Sequence, residues 1–270
     1  ETATGMCQTA ALSIQFGLSI RSLSQYLSAL GLHGNALVMQ SFELLSSLID
    51  RSTKVSENEM YKTTDYLRNG VLYLNNLLRP QHKKLSTLMI YSTTKCQSRC
   101  KHCSIWQKPE EHLSLRDIQK IMASRCVTKN TVVGLEGGEF ILHPESTAIM
   151  EWFMRHHPNY TLLSNCLNPQ KVIDAVRRYR PQHLYVSLDG DRDTYKVMRG
   201  CNGHDKVIEV VEALKDEVPI SLMFCLSPWN TFKDMDYVIG VARKYKVDVR
   251  IGIYGTMDFF NTTADLLRTD

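Results

Sequence analysis

STLMIYSTTKCQSRCKHC, residues 86–103, passes from an apolar run into a loop that carries three cysteines. Residues 86–92 have the length and composition of a strand. Cys96, Cys100 and Cys103 follow with the spacing C-x3-C-x2-C. Three thiolates this close along a chain hold a soft metal or an iron–sulfur cluster. A [4Fe–4S] cube takes four ligands and this run supplies three. One iron is then open to a small molecule, which points to catalysis rather than electron storage alone.

The same rhythm continues downstream. Strand-like runs recur at TVVGLE (131–136), YTLLS (160–164), HLYVSLD (183–189), PISLMFC (219–225) and DVRIGIY (248–254). Amphipathic helical runs lie between them, near 114–125, 145–156, 169–180, 204–217 and 231–246. This alternation predicts parallel strands joined by crossover helices. The fold class is α/β: a partial (β/α)6 TIM-like barrel, or else an open doubly wound sheet. Both gather their chemistry at the C-terminal ends of the strands. The unusual motifs fall there. The cysteine run follows the first strand and Gly137-Gly138-Glu139 the second. Ser164-Asn165 follows the third, Ser187-Leu188-Asp189-Gly190 closes the fourth, and Gly252-Ile253-Tyr254-Gly255 closes the sixth.

Residues 1–82 read differently, as an N-terminal α-helical extension to a core domain at 83–270. Leu37, Leu44, Leu45, Leu48 and Ile49 fit one helical stripe. A second helix starts near Ser56, with Glu59 three residues on as a capping box. Met60, Leu67, Val71, Leu74 and Leu78 recur along it, and Pro80 ends it. The extension packs on the core or serves as a lid or dimerisation helix. A further helix starting near Asn261 has barely begun at Asp270, so the core is read as truncated at its C-terminus or closed by a short tail.

Composition narrows the function classes. At 43% hydrophobic and 22% charged, the chain can bury a full core. The net charge of +4 is spread out and does not argue for nucleic acid; RRYR at 177–180 reads as a solvated helix face. No run is long and apolar enough to span a bilayer. Cys7, Cys126, Cys166, Cys201 and Cys225 are scattered singly, unlike a secreted disulfide framework, which suggests a reducing, cytoplasmic setting. His156 and His157 read as solvent-facing on a helix flank.

On these motifs the chain resembles the radical S-adenosylmethionine (radical SAM) superfamily over roughly residues 85–256. GLEGGEFILHPE (134–145) is similar to the family's second-strand motif, with Phe140 where proline is usual. VSLDGDRDTYKVMRG (186–200) resembles the fourth-strand segment of members that carry a SPASM or twitch extension. The resemblance implies a [4Fe–4S] cluster on Cys96, Cys100 and Cys103, with S-adenosylmethionine (SAM) chelating the open iron. Electron transfer then cleaves SAM, and the resulting 5′-deoxyadenosyl radical abstracts hydrogen from substrate. It implies roles for Gly137 and Gly138 beside the SAM amino group and for Glu139 as acceptor of that ammonium. Asn165 is implied near the carboxylate or ribose, Ser187 and Asp189 on ribose hydroxyls, and His102 near adenine. Arg199, read as a helix-entry residue, is implied on the SAM carboxylate, and Ile253 flanks the adenine.

Rival readings remain open at this level. Structural zinc would recruit His102 or His112 as a fourth ligand and make the chain a regulatory module. Radical adenosyl or methyl transfer is the second enzymatic reading. No cysteine follows Cys225, so auxiliary clusters cannot form from these residues. Cys225 and Tyr254 are candidates for radical quenching or substrate contact. The expected partners are a low-potential electron donor such as flavodoxin or ferredoxin, and a small-molecule or peptide substrate that the sequence does not identify.

Overall fold

The computed structural model describes residues 63–254. The stripe at 37–49, the capping box at 56–59, Gly255 and the helix start near 261 lie outside the described residues. The chain divides into two units, 1–83 and 84–270. In the first, helix α1 (Thr63–Leu78) is followed by a 3-10 turn, Pro80–His82. Proline has no N–H to donate and its ring clashes with the preceding turn, so the α-helix stops before it.

The second unit is built on six strands: β1 (Thr87–Tyr91), β2 (Val132–Glu136), β3 (Tyr160–Ser164), β4 (His183–Ser187), β5 (Ile220–Leu226) and β6 (Asp248–Ile253). They alternate with α2 (Leu115–Met122), α3 (Ser146–His156), α4 (Pro169–Tyr179), α5 (Arg192–Arg199), α6 (His204–Leu214) and α7 (Phe232–Tyr245). Every strand pairs in parallel with its neighbours in sequence, in the order β1 to β6. A doubly wound sheet reverses its order at a switch point. This one does not, and it curls as a half-barrel whose edges are β1 and β6.

Strand alternation sorts residues by face. Ile90, Val133, Leu135, Leu162, Leu184, Val186, Leu222 and Phe224 point to one side and are buried. They join Ile149, Phe153, Val176, Val207, Val211 and Val238 of the helices in one apolar core. Their neighbours Tyr91, Glu136, Leu163, Tyr185, Met223 and Arg250 are only half-buried on the opposite, concave side. Local signals hold the helix ends: Ser114 and Asp191 accept N–H bonds as N-caps, and Thr231 with Asp234 closes a capping box.

Three expectations need correction. The fourth strand ends at Ser187, because Asp189 turns away to bind Arg199 and the Cys225 N–H. The segment after it is a helix of its own, α5, whose last residue is Arg199; that arginine is a helix end and not a helix entry. His157 is buried, with Nε2 2.7 Å from the Thr131 carbonyl, whereas His156 is exposed and stacks on Trp152.

Candidate active site at the cysteine loop

The cysteine loop leaves β1 and is clamped from two sides. On one side it meets the turn after β2. Gly138 donates its N–H to Thr93 O at 2.7 Å, and Glu139 donates to Lys95 O at 2.8 Å. Glycine is required for that approach. A Cβ on Gly137, whose φ is +152°, would stand 2.5 Å from Thr93 O, and one on Gly138 would stand 2.5 Å from Lys95 O. The space in the Cβ direction of both glycines is thus filled by the loop's own backbone.

On the other side the loop closes the end of α5. Arg99 and Lys101 donate N–H bonds to the carbonyls of Arg199 and Met198, both at 2.9 Å, and Ser98 Oγ donates to Arg199 O at 3.1 Å. These are terminal carbonyls with no partner inside the helix. Gly200 follows at φ +66°, and a Cβ there would stand 2.8 Å from Arg99 O.

Polar side chains then surround the sulfurs. Cys100 is buried, with Ser98 Oγ at 3.2 Å and Arg199 Nη1 at 3.6 Å from its Sγ. Asn165 points Nδ2 at Cys96 Sγ from 3.7 Å while its Oδ1 accepts from Gln97 and from the Leu167 N–H. Burial pushes the Cys96 thiol up to about 12, with Cys100 and Cys103 adding to the rise, and Cys103 is raised for the same leading reason. Loading with iron therefore displaces protons from these thiols.

Glu139 is buried and joins neighbouring strand ends. Its carboxylate accepts from Ser164 Oγ at 2.9 Å and from the Asn165 N–H at 2.7 Å. Burial raises it to about 7 despite those bonds. Asp189 is fully buried and equally committed. Oδ2 takes Arg199 Nε at 2.6 Å and Oδ1 takes the Cys225 N–H at 2.9 Å. The Asp189 carboxylate thus orders the site from within. Asn230 binds the carbonyls of Asp189 and Cys225. Ser187 is buried at the end of β4.

The structure thereby brings Cys96, Cys100, Glu139, Asn165, Asp189, Arg199 and Cys225 into one connected set. Ile253 is 82% exposed at the end of the edge strand β6, and the Tyr254 ring packs on Trp229 at 5.5 Å. Sequence reasoning missed Ser98, Gln97, Asn230 and Cys201. Cys201 Sγ lies 4.0 Å from the Ser98 hydroxyl that also meets Cys100. Ser98, inside CQSRC, was the most accessible signal among these.

The residues fit an iron–sulfur cluster with a small-molecule ligand better than a zinc ion. All three cysteines are free thiols on one loop fixed at both flanks. His112, an alternative zinc ligand, has Nδ1 on Thr93 Oγ1 and Nε2 on Glu110. Among the described residues, no three His, Cys, Asp or Glu side chains are placed to hold a single metal ion. His102 Nδ1 is, among the described residues, the buried side-chain nitrogen left without a hydrogen-bond partner. Burial, with Arg199 adding, lowers its pKa to about 4. A neutral imidazole within the cysteine loop, with one nitrogen unpaired, is a place for a bound ligand's polar group.

Comparison with known proteins agrees with this fold. SuiB of Streptococcus suis superposes with a TM-score of 0.58 at 14% identity, covering 85% of this chain and 54% of that one. Its complex with S-adenosylmethionine gives 0.57 at 14% identity over 83% and 56%. The protein anSMEcpe, solved with AdoMet and the Cp18Cys peptide, gives 0.50 at 15% identity over 66% and 55%. The chain spans about half the length of these solved structures. No curated protein sequence matches it. Among the described residues no helix is long and apolar enough to cross a membrane. The Radical SAM superfamily model matches residues 90–241, which contain the cysteine loop, the glycine turn and α5. The chain belongs to the radical SAM superfamily, enzymes that work with a [4Fe–4S] cluster and S-adenosylmethionine.

Proposed function

We propose that this chain initiates radical chemistry on a peptide, with the cluster held by Cys96, Cys100 and Cys103. The observation that carries the reading is the loop of three free thiols pinned between the Gly137-Gly138 turn and the end of α5. When bound, cluster and SAM supply one-electron cleavage of a C–S bond and hydrogen abstraction by the carbon radical released. The protein's part is to place and shield. Gln97 and Asn165 fix the loop near Cys96, and Arg199 with Ser98 fixes Cys100. His102 is offered to the adenine side of SAM, and Ser187, at the end of β4, to its ribose hydroxyls. Gly137, Gly138 and Glu139 shape the turn that borders SAM, and Asp189 orients Arg199 toward it. Cys225, whose thiol burial raises to about 11, is a candidate hydrogen donor beside the site.

A peptide substrate is supported by SuiB, whose structure was solved bound to the precursor peptide SuiA. Flavodoxin or ferredoxin is the proposed electron source. The test is anaerobic reconstitution with iron and sulfide, then incubation with SAM and dithionite. A brown protein that releases 5′-deoxyadenosine is expected, with both lost in Cys96→Ala, Cys100→Ala and Cys103→Ala. A colourless protein that binds zinc tightly and takes up no iron would overturn the reading.

A further inference from the structure

The concave face of the half-barrel carries a carboxylate that the cysteine loop does not use. Barrel interiors are ordinarily filled by branched apolar side chains. Here the last residue of β2 is Glu136, half-buried on that face. Its strand partner is Tyr91, the last residue of β1, and the Tyr91 hydroxyl bonds its carboxylate. Tyr91 lies within electrostatic reach of Cys103 on one side, and Glu136 within reach of Tyr185 on the other. Glu136 therefore stands between the cluster loop and the open middle of the sheet. Half-buried Leu163, Tyr185 and Met223 continue the face beyond it. Farther round, the Arg250 guanidinium lies 4.8 Å over the Tyr185 ring.

We propose that Glu136 is the substrate anchor, taking the ammonium or guanidinium of a basic residue in the peptide. This rests on the peptide reading above. A carboxylate has about four acceptor positions, of which Tyr91 fills one. The rest suit a lysine, or a two-pronged arginine. A half-buried carboxylate also gains most from a cation that arrives with its own hydrogen bonds. Leu163, Tyr185 and Met223 offer apolar surface to the methylene stem. Arg250 repels a cation from the β6 side, so the peptide's basic residue is directed to β1 and β2, next to Cys103.

The test is affinity selection of a random nonapeptide library on the reconstituted protein with SAM, read as residue enrichment by mass spectrometry. The wild-type protein is expected to enrich Lys and Arg several-fold over the input. The chain's net charge of +4 favours acidic peptides, so bulk charge cannot produce that result. Glu136→Gln is expected to abolish the enrichment, Glu136→Asp to restore part of it, and Tyr91→Phe to reduce it. Iron content and the visible absorption of each variant show that the loop is intact. If the wild-type protein cleaves SAM but enriches no basic residue, or if Glu136→Gln enriches as the wild type does, this inference falls alone. If the wild-type protein takes up no cluster and cleaves no SAM, the radical reading falls first.

Discussion

Nε of Arg199 lies 2.6 Å from Oδ2 of Asp189, with the carboxylate fully buried and the arginine nearly so. Such a pair ties the end of α5 back to the turn after β4 only while both charges are present. Removing one partner strands the other without water. We expect Arg199→Ala to destabilise the cluster-free protein by about 3–5 kcal/mol. Asp189→Asn combined with Arg199→Gln should lose less than the sum of the two single changes. Urea unfolding followed by circular dichroism measures both, and strict additivity would show that the pair is not coupled.

The same guanidinium reaches Cys100 Sγ, so its loss should be felt electronically as well as mechanically. Hydrogen bonds to cluster sulfurs set the reduction potential. A positive donor near a ligand sulfur favours the reduced, more negative cluster. Arg199→Gln is expected to shift the midpoint to more negative values, with Arg199→Lys intermediate. An EPR redox titration of iron-replete protein gives the answer; an unmoved midpoint leaves Arg199 with a purely structural role.

Gly138 offers a steric experiment. A methyl group there must displace the Lys95 carbonyl, one residue before Cys96. Gly138→Ala should leave the secondary structure in place while iron retained after reconstitution falls several-fold. Full iron loading by this variant would mean that the turn can shift without moving the thiols. Gly240→Ala, where nothing lies within 4 Å of the added methyl, is the matched control.

Stability should depend on pH through His183. Burial lowers its pKa to about 4 from an ordinary value of 6.5. Its ring meets Ser221 Oγ at 2.7 Å, and Ser221 donates on to Asp248. Between pH 6.5 and 4 the unfolded chain binds this proton and the folded chain does not. The contribution of His183 is therefore complete above pH 6.5 and is lost as pH falls through that window. His183→Gln should flatten the wild-type slope of unfolding free energy there. Parallel slopes for the two proteins would assign the dependence to other groups.

Much of the core was legible because strand and helix differ in period. YTLLS at 160–164 matches β3 residue for residue, and the helical run at 169–180 matches α4 to within one position. α5 was not separated out, since RDTYKVMR is short and strongly polar and buries only Tyr195, Met198 and Arg199. In the site, the cysteines announced themselves by spacing. The partners of Glu139 and Asp189 did not, because Ser164, Asn165 and the Cys225 N–H meet them only through the sheet's register. The glycines were found, but what they make room for depends on a loop more than 40 residues earlier in the chain. Glu136 was hidden by its position, since alternation along a strand shows which residues share a face but not which face is open.

The docking of the cysteine loop on α5 sets the position of the middle cysteine by measure. The amides of Arg99 and Lys101 flank Cys100 and are pinned to consecutive carbonyls of one helix end. Adding one residue between them would either unpin an amide or turn the middle thiol over to solvent. The helix thus acts as a gauge block for the middle ligand: the step across Cys100 is held by α5, a segment about a hundred positions away.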